Sequence, residues 1–468
     1  MRGNYTESRE APHSALPRRI VRLSPKRVLS SPAFITIIAY LLRMGILMHS
    51  HRIVHNPVRD NLPFGYELGA VARSIASGEG FASPLRWFHT GPTAWFGPIY
   101  PYLAAGVFKL FGIYSYTSHA VLQTLNCAFS ALTCIPIYLA GKRSFGAGVG
   151  IGAAWLWVFL PSAVLFPLQW IWDTSLSALW MALLLYATLR LRETNRMAVW
   201  MGYGALWAAG ALINPALVAV LPAFGIWLIF QLRKRALPWL RVSAMGALVF
   251  CAGIAPWTIR NYIVFHQFIP LRSNFGLELW LGNNPGSTAD DTPYQHPDDN
   301  LQEAERYRQM GEPAYMALKQ HEALHFMRSH PGEDAALTLH RFASTWLGAP
   351  DPFQDTWARE NWAVRSGALF QVAFSLLALW GMLLGFRSHN ADIAVYALAL
   401  LLYPAVFYLT HASLRYRHPI DPLLILLAAS AVAHPFRASA RTLREAATVR
   451  QAGTRDSTNA ATVGQLTP

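Results

Sequence analysis

Apolar runs dominate this chain. They fall near 33–50, 117–140, 147–165, 170–190, 198–213, 215–232, 241–257, 366–386, 392–410 and 419–434. Several approach the ~20 residues that a helix needs to cross a bilayer. The pattern predicts about ten membrane-spanning helices; Asn214-Pro215 makes 198–232 the least regular stretch. A further run at 98–112 is too short to cross and begins with Pro98, so it is expected to lie in the outer interface or to dip in and return. The long polar stretch 258–365 carries turn signals at Asn283-Asn-Pro-Gly286 and Asp290-Asp-Thr-Pro293, and its 301–346 part is helix-forming. No period-2 strand pattern and no internal repeat stands out. The predicted fold class is an all-α polytopic membrane protein with juxtamembrane helices in a first outer loop and a mostly helical long outer loop.

Charge settles the expected orientation. Of 468 residues, 53% are hydrophobic and 14% charged, with a formal net charge of +14. A charge of that size fits nucleic acid in general. Here the basic residues cluster beside the apolar runs instead, which argues against a nucleic-acid partner. Arg18 to Arg27, Lys142-Arg143, Arg190 to Arg196, Arg233-Lys-Arg235, Arg387 and Arg437 to Arg444 all fall on one side if 98–112 does not cross. The positive-inside rule makes that side the cytoplasm, with both termini there. The expected organisation is a basic tail (1–30), a transmembrane module (31–257) with a first outer loop (51–116), an extracytoplasmic segment (258–365), C-terminal spans (366–436) and a polar tail (437–468). Both tails are compositionally disordered. The N-terminal stretch is long and basic, with no small-residue cleavage site after the first run, so no cleaved signal is expected. Cys127, Cys134 and Cys251 sit in apolar runs and read as small hydrophobes.

The stretch 60–112 holds the most informative chemistry. It runs Asp60-Asn-Leu-Pro-Phe-Gly-Tyr-Glu67, a small apolar helix to Gly78-Glu-Gly80-Phe81, then Trp95, Pro98-Ile-Tyr100-Pro101 and Phe108-Lys-Leu-Phe-Gly112. Acids placed beside a membrane are costly and tend to be there for chemistry. The order and spacing of these pieces resemble the first extracytoplasmic loop of the GT-C superfamily, the multi-span glycosyltransferases that use polyprenyl-phosphate sugars, including the protein O-mannosyltransferase and aminoarabinose transferase branches. The resemblance covers most of 33–434. It implies an enzyme of a bacterial plasma membrane that moves a sugar from a lipid phosphate to a hydroxyl of a lipid, glycan or protein.

Within that resemblance, Glu67 is expected to be the general base, with Asp60 as a rival acid. Glu67 lies about three residues beyond the family's acidic position, where this chain has Phe64-Gly65. Asp173, in Trp170-Ile-Trp172-Asp173-Thr174, matches a second family acid; it would orient the acceptor, help to bind a divalent ion or steer Glu67. An N-cap is its plain structural alternative. Four arginines, Arg260, Arg272, Arg415 and Arg417, lie on the expected outer side. Guanidinium forks suit a phosphate. Arg260, Arg415 and Arg417, with Tyr416, Tyr100 and Trp95, are the expected substrate and lipid-phosphate contacts. The aminoarabinose branch's Glu-Lys is replaced here by Phe96-Gly97, so the phosphate must be held elsewhere. Trp95, Trp170, Trp172 and Trp280 are candidates to stack on sugars.

Two other classes compete. His321-Glu322-Ala-Leu-His325 matches a zinc-protease motif but lacks the spacing for a third ligand, and a surface helix with two histidines is the simpler reading. A lipid or glycan transporter would show inverted repeats and midplane charges, and neither is apparent. No metal site is assigned from the sequence, and dependence on a divalent ion stays open.

Overall fold

The structure, a computed structural model, describes residues 25–49, 61–169, 171–287, 295–348 and 362–435. Asp60, Trp170 and Asp290 to Pro293 lie outside the described residues. Among the described residues every regular element is helical, apart from one isolated antiparallel bridge between Ala82 and Pro92.

Six helices among the described residues are long and apolar enough to cross a membrane: Pro32–His49, Tyr116–Phe145, Thr174–Leu191, Pro215–Lys234, Trp239–Phe265 and Arg365–Arg387. Ala147–Phe159 and Pro161–Gln169, bent by 43° at their junction, would make a seventh. The remaining apolar runs form shorter helices, Met197–Ile213 and Ile393–Leu409, and a helix at 421–435. The run expected not to cross forms the 13-residue helix Ile99–Phe111.

The bend has a local cause. Pro161 and Pro167 have no N–H, so the carbonyls of Trp157 and Ala163, four residues earlier, lose their helical partners. Arg43, fully buried on Pro32–His49, replaces them. Its Nη2 donates to Trp157 O (3.2 Å), its Nε to Ala163 O (3.0 Å) and its Nη1 to Ala39 O (2.9 Å). Ser130 Oγ adds a second bond to Ala163 O at 2.7 Å. An unpaired charge at this depth would be expensive. Met197–Ile213 and Trp239–Phe265 pack backbone to backbone, because a Cβ on Gly204 would sit 2.2 Å from Gly246 O. Small residues at such crossings let helices approach in a lipid environment.

At one end the two long polar segments dock on each other. Buried Glu312 accepts from Ala94 N (2.7 Å), Ser273 Oγ (2.6 Å), Tyr307 Oη (2.7 Å) and Thr93 Oγ. Arg86 pairs with Asp299 at 3.2 Å. Arg341, also buried, donates to Gly282 O, Asn283 Oδ1 (3.1 Å) and Tyr408 O (3.2 Å). Arg143, Arg192, Lys234 and Asn390 gather at another cavity, beyond the opposite end of Thr174–Leu191. The two loops expected to share a side therefore meet.

Candidate active site

The docked loops and helix ends enclose a cavity of about 550 Å3. Glu67 enters it from a tight turn. Gly65 has φ 85° and Tyr66 φ 51°, a left-handed pair that delivers Glu67 into the first turn of Glu67–Ala76. A Cβ on Gly65 would lie 2.3 Å from Ile171 O, so a side chain there is excluded. That contact holds the first loop against Ile171-Trp172-Asp173 and brings both acids to one cavity.

Glu67 is buried, and its Oε1 lies 2.9 Å from His296 Nε2. The other ring nitrogen, Nδ1, accepts from Asp298 N at 3.1 Å. In the neutral ring the proton then sits on Nε2 and is donated to the carboxylate. Asp298 is buried beside the pair; its Oδ1 accepts from Arg86 N at 2.9 Å. Burial, then the charge of Glu67, pushes the Asp298 carboxyl up to about 6. Asp173 stands before Thr174–Leu191 but makes no side-chain capping bond; Ser177 Oγ donates to it at 3.3 Å.

Two cations share the cavity with the acids, near enough for their charges to act on Asp173. Arg415 lies over the Trp172 ring, 4.3 Å from its centroid, and donates to Tyr416 Oη at 3.0 Å. Tyr416 Oη is in turn 3.0 Å from His411 Nε2. Arg272 lines the cavity and makes no hydrogen bond or ion pair with a described residue. Phe166, Val406, Phe407, Leu414 and Pro419 form an apolar wall.

The cavity thus gathers Glu67, Asp173, Trp95, Arg415 and Tyr416 from the sequence-predicted set. Asp60 lies outside the described residues, and Arg417, Arg260 and Tyr100 do not line the cavity. Arg417, almost fully buried, bonds Thr345 O (3.1 Å) and Ser375 Oγ (3.2 Å) and pairs with Asp421 (3.4 Å). Arg260 is directed to Thr93 O (2.6 Å) and Phe81 O (2.9 Å), pinning the first loop. Tyr100 bonds Asn126 at 2.8 Å inside an apolar cluster. His296, Asp298, Asp299, Glu278 and His411 went unnoticed in the sequence. Glu278 stands alone on the otherwise apolar helix Phe275–Gly282, His411 follows an apolar run, and only the His-Pro-Asp-Asp run at 296–299 marks its segment as rich in such groups.

On the zinc-protease-like helix, His321 and His325 are exposed, and Glu322 is bound to Lys319 (3.0 Å) and Arg306 (3.6 Å). Among the described residues no three His, Cys, Asp or Glu side chains converge to hold a metal ion, there or in the cavity.

A polytopic helical protein with acids and arginines converging under two docked loops is the class this geometry defines. Residues 93–257 match the family model described as dolichyl-phosphate-mannose-protein mannosyltransferase. No curated protein matches the chain in sequence. In structure the chain is similar to the oligosaccharyltransferase AglB from Archaeoglobus fulgidus in complex with an inhibitory peptide and a dolichol-phosphate. The identity is 15% and the TM-score 0.52, over 89% of this chain and 52% of that one. The apo form of that enzyme gives 16% and 0.53, over 89% and 52%. ArnT from Cupriavidus metallidurans, bound to undecaprenyl phosphate, gives 15% and 0.38, over 86% and 78%. The chain spans about half the length of the AglB chains. The resemblance to membrane glycosyltransferases drawn from the sequence is thus met by a family model, and its all-helical membrane fold by solved structures.

Proposed function

We propose that this protein is an integral-membrane glycosyltransferase that moves a sugar from a polyprenyl-phosphate donor to the hydroxyl of a lipid, glycan or protein. The observation that carries this is the Glu67–His296 pair, 2.9 Å apart, sharing one cavity with Arg415 and Arg272. The donor's phosphate would lie against Arg272 and Arg415, with its first isoprene units along the Phe166 and Phe407 wall. Glu67 would take the acceptor's hydroxyl proton as that oxygen attacks the anomeric carbon. The bond from that carbon to the phosphate oxygen breaks, and polyprenyl phosphate leaves with its charge met by the two guanidiniums. A single displacement inverts the anomeric carbon. His296 fixes the carboxylate, Asp173 orients the acceptor, and Trp95 and Trp172 offer faces for sugar rings. Asp60 keeps its place as the rival base.

The match of 93–257 to a mannosyltransferase family supports the reaction class, and the dolichol-phosphate in the AglB complex supports a lipid-linked donor. The metal-ligand geometry does not fit a resident ion among the described residues, and the chemistry above needs none of its steps to pass through one. The protein is assigned to a bacterial plasma membrane, with the cavity outside and both termini inside, from its basic clusters. Purified protein in proteoliposomes, given a panel of labelled undecaprenyl-phosphate sugars, should release undecaprenyl phosphate and form an inverted product. Absence of transfer from every donor, with the protein folded, would refute the assignment.

A further inference from the structure

Thr174–Leu191 is 18 residues long. Beyond its far end, roughly 27 Å from Asp173, lies a second cavity of about 530 Å3. It is lined by Arg143, Arg192, Gln231, Lys234, Arg235 and Asp392, among others. Two of its four cations are engaged. Arg192 pairs with Asp392 and Glu193, and Arg143 pairs with Glu193 and donates to Leu189 O at 2.8 Å. Lys234 and Arg235 are exposed and make no hydrogen bond or ion pair with a described residue. Gln231 is only 7% exposed and lines the cavity, and its amide makes no hydrogen bond to a described residue. An amide at the cavity wall can donate to a ligand held there. The neighbouring Arg233 lies 4.2 Å from the centroid of the Trp239 ring, at the start of a span, where such rings mark the headgroup layer.

We propose that this cavity binds the phosphate of an anionic headgroup. Lys234 and Arg235 supply the uncompensated charge, and the Gln231 amide donates to a phosphate oxygen. The same chemistry serves two sources, a phospholipid of that leaflet and a soluble phosphate ester. Neither source is required by the transferase reading, so the site stands or falls by itself.

The test uses the full chain in nanodiscs of neutral lipid, titrated with phosphatidylglycerol, with bound lipid counted by native mass spectrometry. Wild type should bind saturably. Removing two interfacial cations in K234A/R235A should weaken binding by roughly 10–30-fold. Gln231→Leu, which keeps every charge, should weaken it as well. Arg233→Ala, an adjacent cation outside the lining, should bind as wild type. If millimolar inorganic phosphate displaces the lipid from wild type, the site takes free phosphate esters; if not, it is a lipid site. Equal binding by wild type, K234A/R235A and Q231L would overturn the proposal. So would a loss in R233A as large as in K234A/R235A, because the binding would then be diffuse surface charge.

Discussion

At the scale of single residues, the cavity separates arginines that are available to a ligand from arginines that hold the fold. Arg272→Ala and Arg415→Ala should each raise the apparent donor KM, by about 10–100-fold, since a charge-assisted bond contributes ~1.5–3 kcal/mol. Arg417→Ala should instead lower the melting midpoint and the yield, because it removes the guanidinium that pairs with buried Asp421 and binds Thr345 O. Glu67→Gln keeps size and hydrogen bonding but accepts no proton, so turnover should fall by roughly 10²–10⁴-fold while donor binding holds. Asp60→Asn is its control: a dead Asp60→Asn beside an active Glu67→Gln would move the base to Asp60. Asp298 gives a pH signature. Its folded-state carboxyl, near 6, lies above the ordinary unfolded value, so the folded state binds more protons between about pH 4 and 6. Stability should therefore fall as pH rises through that window, and Asp298→Asn should flatten the fall in melting midpoints. Residue type and neighbourhood in sequence pointed to Glu67, Asp173 and Arg415. They could not separate Arg415 from Arg417, two residues apart, because opposite directions off one short helix decide which guanidinium meets the cavity.

At the scale of elements, two local devices place the site. The Gly65-Tyr66 turn aims Glu67, and its close approach to Ile171 O couples the first loop to Asp173. Gly65→Ala adds a Cβ where the backbone is left-handed and the neighbouring carbonyl intrudes. It should cost activity as severely as Glu67→Gln while the transmembrane helices still insert, which circular dichroism would check. The second device is Arg43, which caps the two carbonyls that Pro161 and Pro167 leave open. Arg43→Leu should destabilise the protein by about 1–3 kcal/mol, since Trp157 O loses its donor while Ala163 O keeps only Ser130 Oγ. Arg43→Lys, with one ammonium for both carbonyls, should fall between. The two prolines themselves are visible in the sequence. Their partner is not, because Arg43 lies more than a hundred positions away.

At the scale of the whole molecule, sidedness is the testable property. Both loop segments around the cavity should face outward, and Asn195, beyond Thr174–Leu191, inward. Exposed Ser77→Cys and Gln302→Cys should react with an impermeant thiol reagent in intact cells, in a Cys251→Ala background. Asn195→Cys should react only after permeabilisation. Labelling of all three from outside would reject the topology.

The sequence by itself determined the helical, membrane-embedded class, the places of the apolar runs, the clustering of basic residues and the first-loop pattern. These are read one window at a time: hydropathy over ~20 residues decides spanning, and charge beside each run sets orientation. Tertiary structure alone decided which polar groups share the cavity. His296 meets Glu67 across 229 positions, Glu312 ties Thr93 and Ala94 to Ser273, and Arg260 and Arg417 are turned into braces. The physical reason is that a buried polar group must find a partner wherever the packed chain offers one, and sequence spacing carries no record of which segment that is.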